Sequence, residues 1–313
     1  MLARAPSTAP SLGDAVWIDL LSPTDAERAE VEAATRLHLP AKEDIEEIET
    51  SSRVYEEDGA LYLSTPLLTG ADCMKHGAAS LGCVLTPERL VTIHFLKLDS
   101  LEELRNTYEK HKDTNAGEVF LRLLEIIVDN VADALERAGA ELEAISHAAF
   151  RAEAPQRRHA RMSAELRASL RRLGRISDGV SHLRDSLLGV GRIATFAHET
   201  GGKVGLTLAP ARLSAVRGDI GSLNDYQAHL AAKVQFLLDA MLGFISIQQN
   251  DIVKTLTIVS VVGVPPVLIA GIYGMNFRVM PELAWPLGYP YALVLIVVSG
   301  LVPLAFLKWR GWM

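Results

Sequence analysis

Between Thr255 and Phe277 the chain has no charged side chain: TLTIVSVVGVPPVLIAGIYGMNF. That is about the twenty apolar residues a helix needs to cross ~30 Å of hydrocarbon. A polar hairpin, Arg278 to Pro290, separates it from a second uncharged run, Tyr291 to Leu307. Lys308, Trp309, Arg310 and Trp312 then supply charge and aromatic anchors. The pattern reads as a membrane protein whose two spans come last.

The rest of the chain has another character. Hydrophobic residues make up 49% of the 313, but they gather at the C-terminal end and leave a charged, soluble stretch ahead of the spans. The formal net charge of -7 argues against a nucleic-acid partner and suits the binding of cations. Cys73 and Cys83 have no CxxC spacing and no nearby His pair, so they read as buried thiols in a reducing compartment. The opening MLARAPSTAPSLGDAVWIDL lacks the apolar core of a secretory signal, so the large domain is expected to stay in the cytoplasm. No phosphate-binding glycine loop, HExxH or GxSxG is present, which leaves a membrane-tethered enzyme with little support.

Flanking charge gives a topology. Lys254 precedes the first span, and Lys308 and Arg310 follow the second, against Arg278 and Glu282 in the hairpin. The excess of basic residues puts both termini inside and the hairpin outside. Trp285, Tyr289 and Tyr291 suit the outer interfacial belt, and Trp309 and Trp312 the inner one.

In chain order, Asp14 to Leu20 reads as a first strand, and Ser22-Pro23-Thr24 opens a helix to about His38. Pro40 starts a short acidic helix, AKEDIEEIE, carrying Glu43, Asp44, Glu46, Glu47 and Glu49. Two hairpins follow, one turning at Asp58-Gly59 and the other at Thr86-Pro87-Glu88, for a mixed or mainly antiparallel sheet of about five or six strands. Helices are expected over Ser100–Lys112 and from Gly117 to about Phe150. An arginine-rich helical stretch begins at Pro155, with Arg157, Arg158, Arg161, Arg167, Arg171, Arg172 and Arg175. Ion pairs with Glu136, Glu141 or Glu143 are its ordinary reading, and contact with acidic lipid headgroups the lesser one. Gly189, Gly191, Gly201, Gly202 and Gly205 place helix ends and a turn beyond it.

Pro210 suits the first position of a new helix. No further proline interrupts the chain until Pro265-Pro266, and the apolar pattern runs into the first span. Carried to Met275, this helix would extend ~100 Å at 1.5 Å per residue. Such a rod needs partners to be stable. Steps of three and four trace one seam: Asp239, Leu242, Ser246, Gln249, Val253, Leu256, Ser260, Val264, Val267, Gly271 and Gly274. It is mixed polar at one end, apolar in the middle and small at the other, and a repeat of this kind brings one stripe of each helix to a shared axis. Two spans cannot enclose a water-filled path alone, whereas several chains can. A packing face in a lipid-embedded dimer is the alternative.

The run Tyr273-Gly274-Met275-Asn276-Phe277, followed by Met280-Pro281-Glu282-Leu283 and Trp285, resembles the signature of the CorA magnesium-transporter family. Lys254-Thr-Leu-Thr-Ile, Pro265, Tyr289-Pro290, the basic-aromatic C-terminus and Leu85 to Ile93 are similar to that family as well, so the resemblance spans essentially the whole chain. It implies an α+β membrane protein: a cytoplasmic α/β/α domain, a very long stalk helix continuous with the first span, a short second span, and a funnel-shaped homopentamer. The corresponding division is 1–205 for the cytoplasmic domain with its helical hairpin, 206–252 for the stalk and 253–277 for the pore-lining span. Residues 278–290 form the external loop, 291–308 the second span and 309–313 a cytoplasmic tail.

By the same resemblance, Gly274, Met275 and Asn276 form the outer selectivity filter, with a ring of Asn276 amides. Val253, Leu256, Ser260, Val264 and Val267 line the pore and its apolar gate, and Asp239 forms an acidic ring towards the cytosol. Family members often have Met or Thr where Val264 and Val267 stand here. Glu282 could draw cations to the mouth, with Arg278 working against it. Mg²⁺ holds its six waters tightly. A ring of neutral oxygens can hydrogen-bond those waters and let the ion leave, as carboxylates would not. Cytosolic Mg²⁺ is expected to close the pore as a regulatory ligand, with Asp219, Asp225, Glu43 and Glu46 as candidate binders. The partners implied are other copies of the chain, the bilayer of the cytoplasmic (inner) membrane, and Mg²⁺. Transport of Co²⁺, Ni²⁺ or Zn²⁺ and a non-conducting membrane-anchored cation sensor are the competing readings.

Overall fold

The computed structural model describes residues 2–5, 11–47, 49–69, 77–111, 115–150, 159–275, 280–281 and 285–312. Two compact units divide the chain, Met1–Leu238 and Asp239–Met313.

Alternation along the strands builds the centre of the first unit. Its sheet contains β1 (Leu2–Ala5), β2 (Trp17–Leu21), β3 (Val54–Glu57), β4 (Ala60–Leu68), β5 (Ala78–Leu85) and β6 (Leu90–His94). They lie in the order β1-β2-β6-β5-β4-β3. Every neighbouring pair is antiparallel except β2 and β6, which run parallel with Ile18 beside Val91 and Leu20 beside Ile93. The six mixed strands match the expected number and kind, but β1 is an addition that sequence reading passes over. At the first hairpin, Asp58 and Gly59 both take positive φ, 51° and 75°, as a tight right-twisted turn requires.

One sheet face, with Ile18, Leu20, Tyr62, Val84, Val91 and Ile93, packs on Val31 of α1 (Asp25–Thr35), on Leu39, and on Ile45 of α2 (Lys42–Glu46). Thr24 caps α1 through a capping box with Glu27, and Arg36 closes it in a left-handed conformation. The acidic helix is shorter than expected. It stops at Glu46, and α3 (Thr50–Arg53) is a separate turn leading into β3.

The other face meets α4 (Asp99–His111), α5 (Ala116–Phe150) and α6 (His159–Thr200), completing an α/β/α sandwich. Here glycine misleads. α6 runs straight through Gly174, Gly189 and Gly191 and ends only at the turn Gly201–Gly205. Gly189 is glycine because a Cβ there would collide with the side chain of Thr65 on β4 and crowd Pro66. Close approach of helix to sheet, rather than chain reversal, accounts for that residue.

α7 (Pro210–Tyr273) is one helix of 64 residues with Pro210 at its first position. In the first unit its buried side chains, Leu213, Val216, Ile220, Gln227, Leu230 and Leu237, fall on one repeat of threes and fours. Links to α5 and α6 fix the register. Arg212 donates two hydrogen bonds to Glu125 (2.8 and 2.7 Å), Lys233 donates to Glu143 (3.0 Å), and the Gln227 amide donates to the Val180 carbonyl (3.2 Å). Phe236 stacks on Phe150. Of the expected arginine pairs, Arg172 finds Glu141 across α5 and α6.

The second unit contains the remainder of α7 and α8 (Gly288–Trp309). Both helices are long and apolar enough to cross a membrane, with mean hydropathy of 2.1 and 2.3 over their most apolar stretches.

Candidate ion pathway

Within the second unit the two faces of α7 differ. Ile258, Val262, Pro265, Pro266, Ile269 and Tyr273 are half-buried, a spacing that keeps them on one side. That side meets α8: a Cβ on Gly300 would lie 3.4 Å from Pro266 Cγ and 3.7 Å from the Val262 carbonyl oxygen. Gly300 thus lets the helices approach closely, as small residues do between membrane helices. On the opposite side every residue of the seam from Asp239 to Gly274 is exposed. Val253, Leu256, Val264 and Val267 are 60–71% exposed. The chain covers one face of this helix and leaves the seam bare.

Chemistry varies along the seam. Asp239 is exposed at its first position, and Ser246 turns its hydroxyl back to the Leu242 carbonyl at 3.1 Å, satisfying itself within the helix. Ser260 is the polar residue among the valines and leucine of the apolar stretch, and it too is exposed. Pro265 and Pro266 have no N–H to donate, so the carbonyls of Val261 and Val262 lose their usual partners one turn earlier. The helix closes with Gly274 donating to Ala270 (3.0 Å) and Met275 donating to Ile272 (3.2 Å). Gly274 and Met275 are exposed at that end. Asn276 and Glu282 lie outside the described residues.

Aromatic anchors sit at both ends of α8. Trp285 packs edge-on against Tyr291, with ring centres 6.2 Å apart. Trp309 packs on Phe306, over which Arg310 lies at 5.8 Å. Amphipathic rings at the two ends of an uncharged helix suit two water–lipid boundaries.

The candidate regulatory acids are not brought together. Glu43 and Glu46 are exposed on α2, where Lys42 stands 3.7 Å from Glu46. Asp219 and Asp225 are exposed on α7. Asp219 instead adds to the field on Asp129 of α5, whose carboxyl is raised above its ordinary range by burial and by Glu125, Asp133 and Asp219. Among the described residues no group of three or more His, Cys, Asp or Glu side chains could hold a metal ion.

Cys83 is a buried free thiol, as expected, and burial with the nearby Asp19 charge pushes it up to about 12. Cys73 lies outside the described residues. Sequence reading did not find the polar cluster beneath α4. Asp19, 2% exposed, accepts hydrogen bonds from Thr92 (2.7 Å) and Arg105 (2.5 Å) and pairs with His94 (3.1 Å). Trp17 donates to Thr92 at 3.0 Å. Burial alone would raise the Asp19 carboxyl, but His94, Thr92 and Arg105 together hold it below its usual range. His94 is therefore a satisfied sheet residue. The available signal was an acid in the apolar strand WIDLL.

The chain thus combines an α/β/α unit with two helices long and apolar enough to cross a membrane, one of 64 residues and a second flanked by aromatic residues, the architecture expected of a helical membrane protein. Its lineage follows from comparison. The chain belongs to the CorA family: residues 13–309 match the family described as CorA-like Mg2+ transporter protein. The magnesium transport protein CorA of Salmonella typhimurium is 33% identical over 306 residues, covering 97% of this chain and 93% of that one. CorA of Escherichia coli K12 is 33% identical over 305 residues, with 96% and 93% covered. Among solved structures, the complete CorA magnesium transporter from Methanocaldococcus jannaschii superposes with a TM-score of 0.74 at 20% identity, over 95% of this chain and 91% of that one. The full-length CmaX protein gives 0.60 at 15% identity, over 95% and 88%. These two likenesses establish the fold. Members of the family are transporters, not enzymes.

Proposed function

We propose that this chain forms a homopentameric channel for Mg²⁺ uptake across the cytoplasmic membrane, with the seam of α7 from each copy facing a common axis. The observation that carries this reading is the bare seam opposite α8, exposed at every position from Asp239 to Gly274. Apolar side chains left uncovered by their own chain need lipid or another copy against them. Within the span, Ser260 favours a watered axis over lipid, and Asp239, Ser246 and Gln249 continue the polar seam along the stalk.

In this arrangement the Asn276 amides, with Gly274 and Met275, hold the hydrated ion at the outer mouth by hydrogen bonds to its waters. Val253, Leu256, Val264 and Val267 form apolar constrictions, interrupted by Ser260, and Asp239 draws the ion towards the cytosol. Glu282 raises cation concentration outside. Both termini lie in the cytoplasm, with residues 1–205 as the cytoplasmic domain, 206–252 as the stalk, 253–277 and 291–308 as spans, 278–290 outside and 309–313 returning inside. Mg²⁺ bound between copies by acids such as Asp219, Asp225, Glu43 and Glu46 holds the pore shut, and its release opens it by mass action. An inside-negative potential drives a divalent ion inward by about 4–5 kcal/mol per 100 mV, twice the single-charge figure.

Uptake into proteoliposomes of Mg²⁺, Zn²⁺, Co²⁺ and Ni²⁺, compared for the natural chain and Asn276→Ala, tests the reading. Mg²⁺ uptake that falls at least tenfold in the variant is expected. Uptake that is unchanged by the substitution, or that carries Zn²⁺ while ignoring Mg²⁺, overturns the selectivity assignment.

A further inference from the structure

Away from the ion pathway, the first unit has a groove of about 540 Å³ between α6 and α7. Small-molecule sites occupy about 300–1,000 Å³ and combine apolar walls with a few placed polar groups. Leu187, Leu188, Phe196 and Ile220 supply apolar surface here, and Leu188 is 49% exposed. Gly191 lies where a Cβ would come within 3.4 Å of Ile220, so glycine brings the two helices close beneath the groove.

Two guanidiniums, Arg192 and Arg217, line the same groove. Arg192 is half-buried, and among the described residues neither has a hydrogen bond or an ion pair. Arg172 and Arg212, on the same two helices, each find a carboxylate. A third guanidinium lies near: Arg53, which donates to the Glu47 carbonyl at 2.6 Å, has its pKa lowered by burial and by the charge of Arg192, against a smaller opposing pull from Asp185. Two guanidiniums without a carboxylate partner among the described residues, Arg192 half-buried and Arg217 exposed, thus stand beside an apolar wall. Arginine in that state suits phosphate oxygens, which it can bind with two parallel hydrogen bonds.

We propose that this groove binds a nucleoside phosphate, with Arg192 and Arg217 on the phosphate groups and Phe196 and Leu188 against the base. Glu199 on the rim opposes the anion and sets a limit on its affinity. The site is independent of the ion pathway, since none of its residues belongs to the seam.

The test uses the full chain in detergent with a chelator present and ATP as the probe, followed by calorimetry and thermal unfolding. ATP should bind saturably and raise the unfolding temperature, whereas adenosine or inorganic phosphate alone should bind at least tenfold more weakly. Arg192→Gln combined with Arg217→Gln should weaken ATP by roughly tenfold or more, the loss expected for a charge-assisted contact. Glu199→Gln should tighten it. Mg²⁺ uptake by the double variant without nucleotide should match the natural chain, which separates this site from the pore. No ATP binding to the natural chain, equal binding to the double variant, or capture of short-chain phosphatidic acid with ATP silent overturns the proposal.

Discussion

One helix supplies two kinds of apolar stripe. In the first unit Leu213, Val216, Ile220, Leu230 and Leu237 of α7 are buried by α5 and α6 of the same chain. In the second, Leu256, Val264 and Val267 stand exposed on the face opposite α8. The first stripe completes a core. The second is apolar surface that only another molecule can cover, lipid or a further copy. Burial within one chain thus separates what the fold needs for itself from what a neighbouring molecule must cover.

The largest effect should come from placing a charge on each side of the second unit. If the seam faces water, Val264→Asp should insert and give altered Mg²⁺ flux. Val297→Asp, on exposed α8, should fail to insert stably, at about 2.5–3.5 kcal/mol for a mid-span acid. Equal behaviour in membrane-insertion and flux assays would erase the distinction between the two faces. Next comes the covered stripe: Leu230→Ala should cost about 2–5 kcal/mol in chemical denaturation, whereas Leu256→Ala should change ion flux with little loss of soluble-unit stability. At the sheet, Gly189→Val should cost about 1–3 kcal/mol through its clash with Thr65 on β4, read as a lower unfolding temperature.

Two titrations sharpen the comparison within the first unit. Asp19 is held below its unfolded range, so its contribution is present above the ordinary carboxylate pKa and disappears as pH falls through the depressed value. Asp19→Asn should therefore flatten the acid limb of a stability–pH curve. Asp129 has the opposite sign. Its raised carboxyl stabilises fully only at low pH and loses that contribution as pH rises through the folded value. Asp129→Asn should stabilise the unit slightly at neutral pH and not at acid pH.

Much of this was legible in the residues. Local chemistry announces itself: Asp58-Gly59 turns a hairpin, Pro210 opens a helix, and uncharged runs mark spans. Family resemblance at Gly274-Met275-Asn276 and Met280-Pro281 pointed to the lineage that residues 13–309 match. Long-range geometry was less readable. The parallel pairing of β2 with β6 and the added edge strand β1 depend on partners distant in sequence. Gly189 and Gly191 suggested a break because glycine serves turns and tight packing alike, and only the neighbouring Thr65 and Ile220 distinguish the two. The Asp19 cluster needed three separate segments to meet. The seam was readable because its period repeats, while the acids on α2 and α7 carry no period to place them.

The adjacent prolines of α7 have a mechanical meaning. At Pro265 and Pro266 two successive rungs of the backbone ladder are missing by chemistry, so flexure at that point breaks no bond that was there to break. The rod contains a ready-made joint beside Val264 and Val267. A small swivel there would re-aim those side chains while the helical turns on either side stay intact.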